Sequence, residues 1–301
     1  MNSIYAIIVT YNRKDLLARC LDCVSQQTTP PSNIIVADNA STDGTSEFLE
    51  NIRNRYAIPV TVLHLPSNVG GAGGFRAGIE HAIQLQAREV WLMDDDGFPS
   101  PDCLELLSFA KKTYGWQSAS PIQVQIDKPD LLSFPVPLGP NHPVVTTTKD
   151  LQKHTLISGF ANLFNGMLSN CDLFENIGLP NPDYFIRGDE EDMLYKLQMA
   201  AIPFGTYTSA IFYHPTDQHE RHLICNGIIP IRDANHPLKN YYLYRNRIKL
   251  LRLRGKLWKF GIECIKYTLY YFVYKKFDLN GYLLWLRATL DGVLNKKGAS
   301  Y

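Results

Sequence analysis

The chain has 301 residues, 45% of them hydrophobic and 12% aromatic, with 30 Lys+Arg against 29 Asp+Glu. That length admits one large hydrophobic core plus an appendage, and the aromatic content with no low-complexity tract excludes disordered and collagen-like chains. No apolar run approaches the ~20 residues that span a bilayer, and no charged-then-apolar leader precedes the first expected strand at Ile4, so the expected location is the cytoplasm.

In chain order, residues 4–10 (IYAIIVT) read as a buried strand and 14–26 as an amphipathic helix. A second cycle follows: strand 33–37, the turn-rich 38–44 (DNASTDG) and helix 45–54. Strand 60–65 precedes a glycine loop at 68–74 and a helix over about 75–86; strand 89–93 then runs into Asp94-Asp95-Asp96-Gly97. Such alternation implies an α/β fold with a mostly parallel central sheet. Ligands of these sheets lie beyond the carboxyl ends of the strands, so the loops 10–13, 38–44, 68–74 and 94–97 are expected to converge on one cleft. Residues 118–153 are Pro-rich and suggest strands or loops with an insertion. Strand 158–168, a short helix 171–177, helix 190–201 and strand 204–213 complete the body, and after Pro237 the pattern is long, basic and helical.

Charge divides the chain. Residues 239–301 hold 14 Lys+Arg and 3 acids, a net of +11, whereas the remainder holds 16 against 26, a net of −10. The expected division is therefore 1–238 as a catalytic domain and 239–301 as a basic amphipathic helical region. Its cations, interleaved with Leu257, Trp258, Phe260, Ile265, Tyr267, Leu269, Tyr270, Tyr271 and Phe272, suit an anionic membrane surface better than nucleic acid, for which no recognition motif accompanies the charge. A helical appendage packed on the body is the competing reading. Six cysteines without a secretory leader read as free thiols, and Cys20-x-x-Cys23 as helix core.

Three constellations carry chemistry. In an extended segment Asp94 and Asp96 project to one side and Asp95 to the other, and two carboxylates converging at a strand end call for a cation such as Mg²⁺ or Mn²⁺. Asn68-Val69-Gly70-Gly71-Ala72-Gly73-Gly74-Phe75-Arg76 allows close backbone approach to a ligand or a neighbouring strand, and it is neither a P-loop nor a dinucleotide fingerprint. Asp189-Glu190-Glu191-Asp192 at a helix start reads either as dipole-stabilising acids or as a general base. His214, closing a strand before Pro215, is a structural residue or a metal ligand.

Together, Val9-Thr10-Tyr11-Asn12-Arg13, the 37–45 loop, Asn68 to Phe75 and Met93-Asp94-Asp95-Asp96 resemble, in order and spacing, the family 2 inverting glycosyltransferases of the GT-A fold. The glycine-rich stretch with a triple Asp is most similar to the galactofuranosyltransferase branch, whose relatives include rhamnosyltransferases. The similarity continues through Phe164-Asn165-Gly166-Met167, Ile177-Gly178-Leu179-Pro180, Tyr184 to Glu190 and Tyr213-His214-Pro215, and covers about residues 4–250. It implies that Thr10, Tyr11, Asn12 and Asp38 hold nucleobase and ribose, and that Asn68, Gly70, Gly71 and Arg76 line the nucleotide-sugar site with Asp94 and Asp95. It further implies that Asp94, Asp96 and His214 bind the divalent cation, Mn or Mg. Glu190 becomes the expected base, with Asp189 and Asp192 in reserve; branch members often carry an aromatic before an Asp-Asp pair, where this chain has Arg187-Gly188-Asp189-Glu190. The implied reaction moves a sugar, galactofuranose from UDP-galactofuranose, onto a lipid-linked surface glycan at the cytoplasmic face of the inner membrane. A dTDP-rhamnose donor, or a noncatalytic sugar-nucleotide-binding partner in a glycan assembly complex, are the alternatives.

Overall fold

The computed structural model describes residues 3–52, 55–139, 144–216 and 220–298. The last two residues of the expected 45–54 helix lie outside them. The chain forms two compact units, Met1–Pro182 with Met193–Thr216, and Asp183–Asp192 with Asp217–Tyr301. The expected division at 238/239 followed charge composition; by packing, a hairpin before Pro237 and the acidic segment 183–192 group with the basic helices.

The first unit is built on β1 (Ile4–Thr10), β2 (Asn33–Asp38), β3 (Val60–His64), β4 (Glu89–Asp94), β5 (Phe98–Pro99), β6 (Ser118–Gln125), β7 (Leu131–Pro137), β8 (Val144–Thr147), β9 (Leu156–Ser158), β10 (Asn165–Asn170) and β11 (Phe204–His214). These form one sheet with the path β3-β2-β1-β4-β10-β6-β11-β5. Strands β3, β2, β1 and β4 are parallel neighbours, as the alternation predicts. Strand β10 lies antiparallel between β4 and β6, and β11 is parallel to β6, so β11 points the same way as β1 and β4.

Both faces of this sheet are covered, which is why its strands read as continuous apolar runs. Ile4, Ala6 and Ile8 of β1 join the core on one face with Ile34, Val36, Trp91 and Met93. Ile7 and Val9 join the other with Ile35, Ala37, Val90 and Leu92. The helices are α1 (Lys14–Ser25), α2 (Thr45–Ile52), α3 (Gly70–Gln84), α4 (Cys103–Tyr114), α5 (Thr148–Leu151), α6 (Leu173–Ile177) and α7 (Asp189–Met199).

Helix α3 corrects the expected glycine loop: the helix begins at Gly70, not near Phe75. A Cβ at Gly74 would lie 2.5 Å from Val9 Cγ1, and one at Gly78 would collide with Ile7 Cγ2. These glycines let the helix lie directly on β1. Helix α4, which the sequence reading passed over, stops at Gly115, whose φ of 66° is the left-handed C-cap.

The second unit holds a hairpin, β12 (Arg221–Ile224) with β13 (Ile229–Arg232), and helices α8 (Pro237–Leu253), α9 (Phe260–Leu269) and α10 (Leu279–Val293); a π-helical turn, Tyr270–Tyr274, follows α9. Tyr267, Tyr270 and Tyr271, expected among the membrane-facing side chains, are instead buried in its core with Tyr241, Tyr244 and Trp285. Their phenols are satisfied internally: Tyr270 donates to Asp233 (2.8 Å), Tyr267 to the Arg232 carbonyl (3.1 Å), and Tyr244 and Tyr271 bond each other (2.9 Å). Nor is the basic charge all superficial. Arg245 is fully buried, donating to the carbonyls of Asp183 and Gly298 and lying over the Tyr242 ring.

Candidate nucleotide-sugar and metal site

The parallel register pairs Thr10 with Asp38 and Val9 with Asp94, which places the ends of β1, β2 and β4 on one edge of the first unit. His214, ending β11, lies on the same edge.

Thr10 and Asp95 are both buried; the Thr10 hydroxyl donates to Asp95 Oδ2 at 2.7 Å, while Arg13 Nη1 bridges Asp95 Oδ1 (3.0 Å) and Asp96 Oδ2 (2.7 Å). Burial pushes the Asp95 carboxyl up to about 6, against Arg13 and Thr10, which hold it down. Asp95 thus ties the end of β1 to the end of β4. Asn12, at φ 52°, accepts from the Thr42 amide through Oδ1 (2.7 Å) and donates its own amide to Ser41 Oγ (2.9 Å), joining the first two loops. Asp38 is fully buried beneath the second: Oδ1 accepts from the Ser41 amide (3.0 Å) and Oδ2 from Ser46 Oγ (2.7 Å), with His64 Nδ1 at 3.4 Å. Tyr11, by contrast, is 43% exposed.

Asn68 Oδ1 accepts from the Gly70 amide (2.8 Å) at the start of α3, and nothing lies within 4 Å of a Cβ built on Gly71. The residue that seats this segment is Asn39, which the sequence reading left out: its Oδ1 accepts from the Val69 amide (3.2 Å) and its Nδ2 donates to the Gly70 carbonyl (3.3 Å). Arg76 forms an exposed ion pair with Glu80, 2.8 Å away on the next turn of α3, so its charge is already answered on its own helix.

His214 is held on three sides. Its Nδ1 lies 2.6 Å from the Pro215 carbonyl, its own carbonyl accepts from Ser133 Oγ (2.7 Å), and its ring packs 5.0 Å from Phe134. A carbonyl partner calls for a proton on Nδ1, which directs Nε2 to the other side of the ring. That nitrogen lies 3.5 Å from Asp96 Oδ1. A carboxylate oxygen and an imidazole nitrogen thus face each other, and with neutral imidazole this is a donor pair that fits Mn²⁺ or Mg²⁺. No group of three His, Cys, Asp or Glu side chains able to hold a metal occurs among the described residues. Of the expected Asp94, Asp96 and His214 set, the last two face each other. The strand ends at Asp94, and the chain turns there, with the Asp94 carbonyl accepting from the Gly97 amide (3.3 Å).

The acids expected to supply the base belong to the second unit. Asp189 is buried at the start of α7, and its carboxyl is pushed up to about 6 by desolvation, opposed by the amides of Asp189 and Glu190 and by Arg187. Glu190 is half-buried, and Asp192 is buried with Oδ1 3.4 Å from the Tyr184 hydroxyl. The approach to these acids is bent, with Phe185, Arg187 and Gly188 all at positive φ (61°, 67° and 93°). Asn246 of α8, another residue missed in the sequence, holds it: Nδ2 lies within hydrogen-bond distance of the carbonyls of Tyr184 (2.8 Å), Ile186 (3.1 Å) and Arg187 (2.7 Å).

A family model described as glycosyl transferase family 2 matches residues 5–133. A galactofuranosyltransferase GlfT1 of Mycolicibacterium smegmatis is 33% identical over 287 residues, covering 94% of this chain and 93% of its own. A galactofuranosyltransferase GlfT1 of Mycobacterium tuberculosis is 34% identical over 303 residues, covering 98% and 97%. Among solved structures, S. aureus TarS 1–349 in complex with UDP superposes with a TM-score of 0.54 at 14% identity, over 82% of this chain and 65% of that one. GalNAc-T7 with UDP, GalNAc and Mn²⁺ gives 0.61 at 13% identity, over 83% and 47%. The chain spans less than two thirds of each of these two solved chains, and the likeness to them is one of fold. From its GT-A fold and its nearly full-length identity to galactofuranosyltransferases, the chain belongs to glycosyl transferase family 2.

Proposed function

We propose that the chain transfers galactofuranose from UDP-galactofuranose to a hydroxyl of a lipid-linked surface glycan, with inversion at the anomeric carbon. The observation that carries the reading is His214 Nε2 facing Asp96 Oδ1 at 3.5 Å at the carboxyl edge of the sheet, a place suited to a diphosphate and its cation. The sugar is supported by the nearly full-length identity to proteins named galactofuranosyltransferases, and the nucleotide by a fold neighbour solved with UDP.

A bound Mn²⁺ or Mg²⁺ supplies Lewis-acid stabilisation of the leaving diphosphate. Asp96 and His214 would hold it; Arg13 fixes the orientation of Asp96, Nη1 lying 2.7 Å from its Oδ2. Asp94 serves the ribose, Tyr11 offers its exposed ring to the nucleobase, and Asn68 with Gly70 and Gly71 lines the nucleotide. The acceptor oxygen attacks the anomeric carbon as the bond to UDP breaks, and its proton passes to a carboxylate of 189–192. Glu190, half-buried and so open to a substrate, is the first candidate, with buried Asp189 in reserve. Such a base contributes roughly 10²–10⁴-fold.

Purified protein is incubated with UDP-galactofuranose, Mn²⁺ and a synthetic glycan acceptor, and the product is examined by NMR. A furanoside of anomeric configuration opposite to the donor's is expected. A product that retains the donor's configuration overturns the single-displacement mechanism.

A further inference from the structure

The second unit buries the tyrosines of its helices and leaves other apolar side chains exposed. On α10, Leu283, Leu286 and Leu290 are exposed, as are Leu279 at its start and Leu294 just past its end. The spacings of four, three, four and four trace one face of a helix. The opposite face of α10 carries Trp285, Ala288 and Gly292 into the core, so the leucine stripe is a second apolar face that the fold leaves uncovered. The segment before α10 behaves alike: Trp258 (69% exposed), Ile262, Ile265, Val273 and Phe277 (71%) lie outward, while Tyr267 and Tyr271 between them lie inward.

The charges bordering these side chains have one sign. Lys256, Lys276, Arg287, Lys296 and Lys297 are exposed. The three acids of this stretch are turned away from solvent or committed. Glu263 is buried near Arg247 and Lys266, Asp291 is buried between Tyr241 and Lys296, and Asp278 caps α10 by accepting from the Gly281 amide. No acid is exposed among the described residues from 256 to 298.

We infer that the leucine stripe of α10, and not the tyrosines, is an interfacial docking surface for an anionic lipid bilayer, with the stripe entering the headgroup–acyl boundary and the exposed cations of the same stretch of chain meeting phosphate. Charge decides between the occupants an apolar stripe could take: a second copy would bring another set of Lys276, Arg287 and Lys297 against the first, whereas anionic headgroups neutralise them. No described helix is long and apolar enough to cross a membrane, so the surface lies on the bilayer. The inference deepens the proposed use of a lipid-linked acceptor, yet its test reads binding without turnover.

The full chain is sedimented with vesicles of phosphatidylcholine alone and with vesicles containing about one third phosphatidylglycerol. Wild type is expected to bind the anionic vesicles at low salt and to weaken as salt rises. Leu283→Ser/Leu286→Ser, and separately Lys276→Gln/Arg287→Gln/Lys297→Gln, should each lower partitioning about tenfold or more, with circular dichroism and thermal midpoint confirming a folded chain. The Tyr267→Phe variant, conservative in the core, should bind as wild type does. Wild type left in the supernatant, equal binding to both vesicle types, or a leucine-dependent dimer by sedimentation velocity with no vesicle binding would each overturn the inference. Transfer to a soluble acceptor without vesicles is measured in parallel, so a failed donor reading and a failed docking surface give different results.

Discussion

His214 turns Nε2 to Asp96 Oδ1 at 3.5 Å while the Pro215 carbonyl lies 2.6 Å from its Nδ1, so the pair offers a nitrogen and an oxygen to a cation. Asp96→Asn and His214→Ala are each expected to lower kcat/KM by about 10²-fold or more, with loss of Mn²⁺ binding seen by electron paramagnetic resonance. Unaltered Mn²⁺ binding in both variants would remove the site. Among the acids, Glu190→Gln should cut kcat by about 10²-fold with little change in the donor KM, and Asp189→Asn should cut it less. If Asp189 were the base, kcat/KM would fall about tenfold per pH unit below about 6, the value to which burial raises it, and Asp189→Asn would be the dead variant. The groups around Asp189 that set this value are Arg187, which lowers it, and Asp192, which raises it. A raised carboxyl also has a stability signature. Its contribution is fully present below the unfolded value of 3.8 and is lost as pH rises through about 6. The Asp189→Asn thermal midpoint should therefore rise relative to wild type between pH 5 and pH 8.

At the scale of elements, the strands β1, β2 and β4 were readable because burial on both faces makes each a continuous apolar run closed by turn residues. The start of α3 was not, because four glycines look like a loop; only packing shows that β1 lies close enough to exclude a Cβ at Gly74 and, a turn on, at Gly78. Gly78→Val tests this: overpacking against buried Ile7 costs ~1–3 kcal/mol, more than the helix-propensity gain over Gly of a few tenths of a kcal/mol, and should appear as a lower urea midpoint. Alternation could not place Asp96 beside His214, since it holds only while the strand lasts and the chain turns after Asp94. Asn246 was invisible in sequence because its partners lie about 60 residues away. Its three carbonyl contacts hold the positive-φ approach to Asp189 and Glu190. Asn246→Ala should lower kcat more than donor affinity, with Asn246→Gln restoring part of it; equal losses in kcat and stability with no such rescue would mark a purely structural residue.

For the whole molecule, composition located the basic region but not its faces. Fourteen cations from Lys239 onward suggested a surface, yet Arg245 is fully buried, and the tyrosines between the cations form a core. Periodicity shows that a helix has an apolar face; only packing shows which of two apolar faces is covered. The galactofuranosyl donor is the claim on which the proposed function rests, and a donor panel tests it most directly: UDP release with Mn²⁺ and one glycan acceptor, measured for UDP-galactofuranose, UDP-galactopyranose and dTDP-rhamnose. Turnover with UDP-galactofuranose at least about 10²-fold above the others in kcat/KM is predicted, since a furanose and a pyranose differ in several hydroxyl positions that a polar pocket reads. Equal or better turnover with dTDP-rhamnose, or no transfer from any donor while UDP still binds, would contradict it.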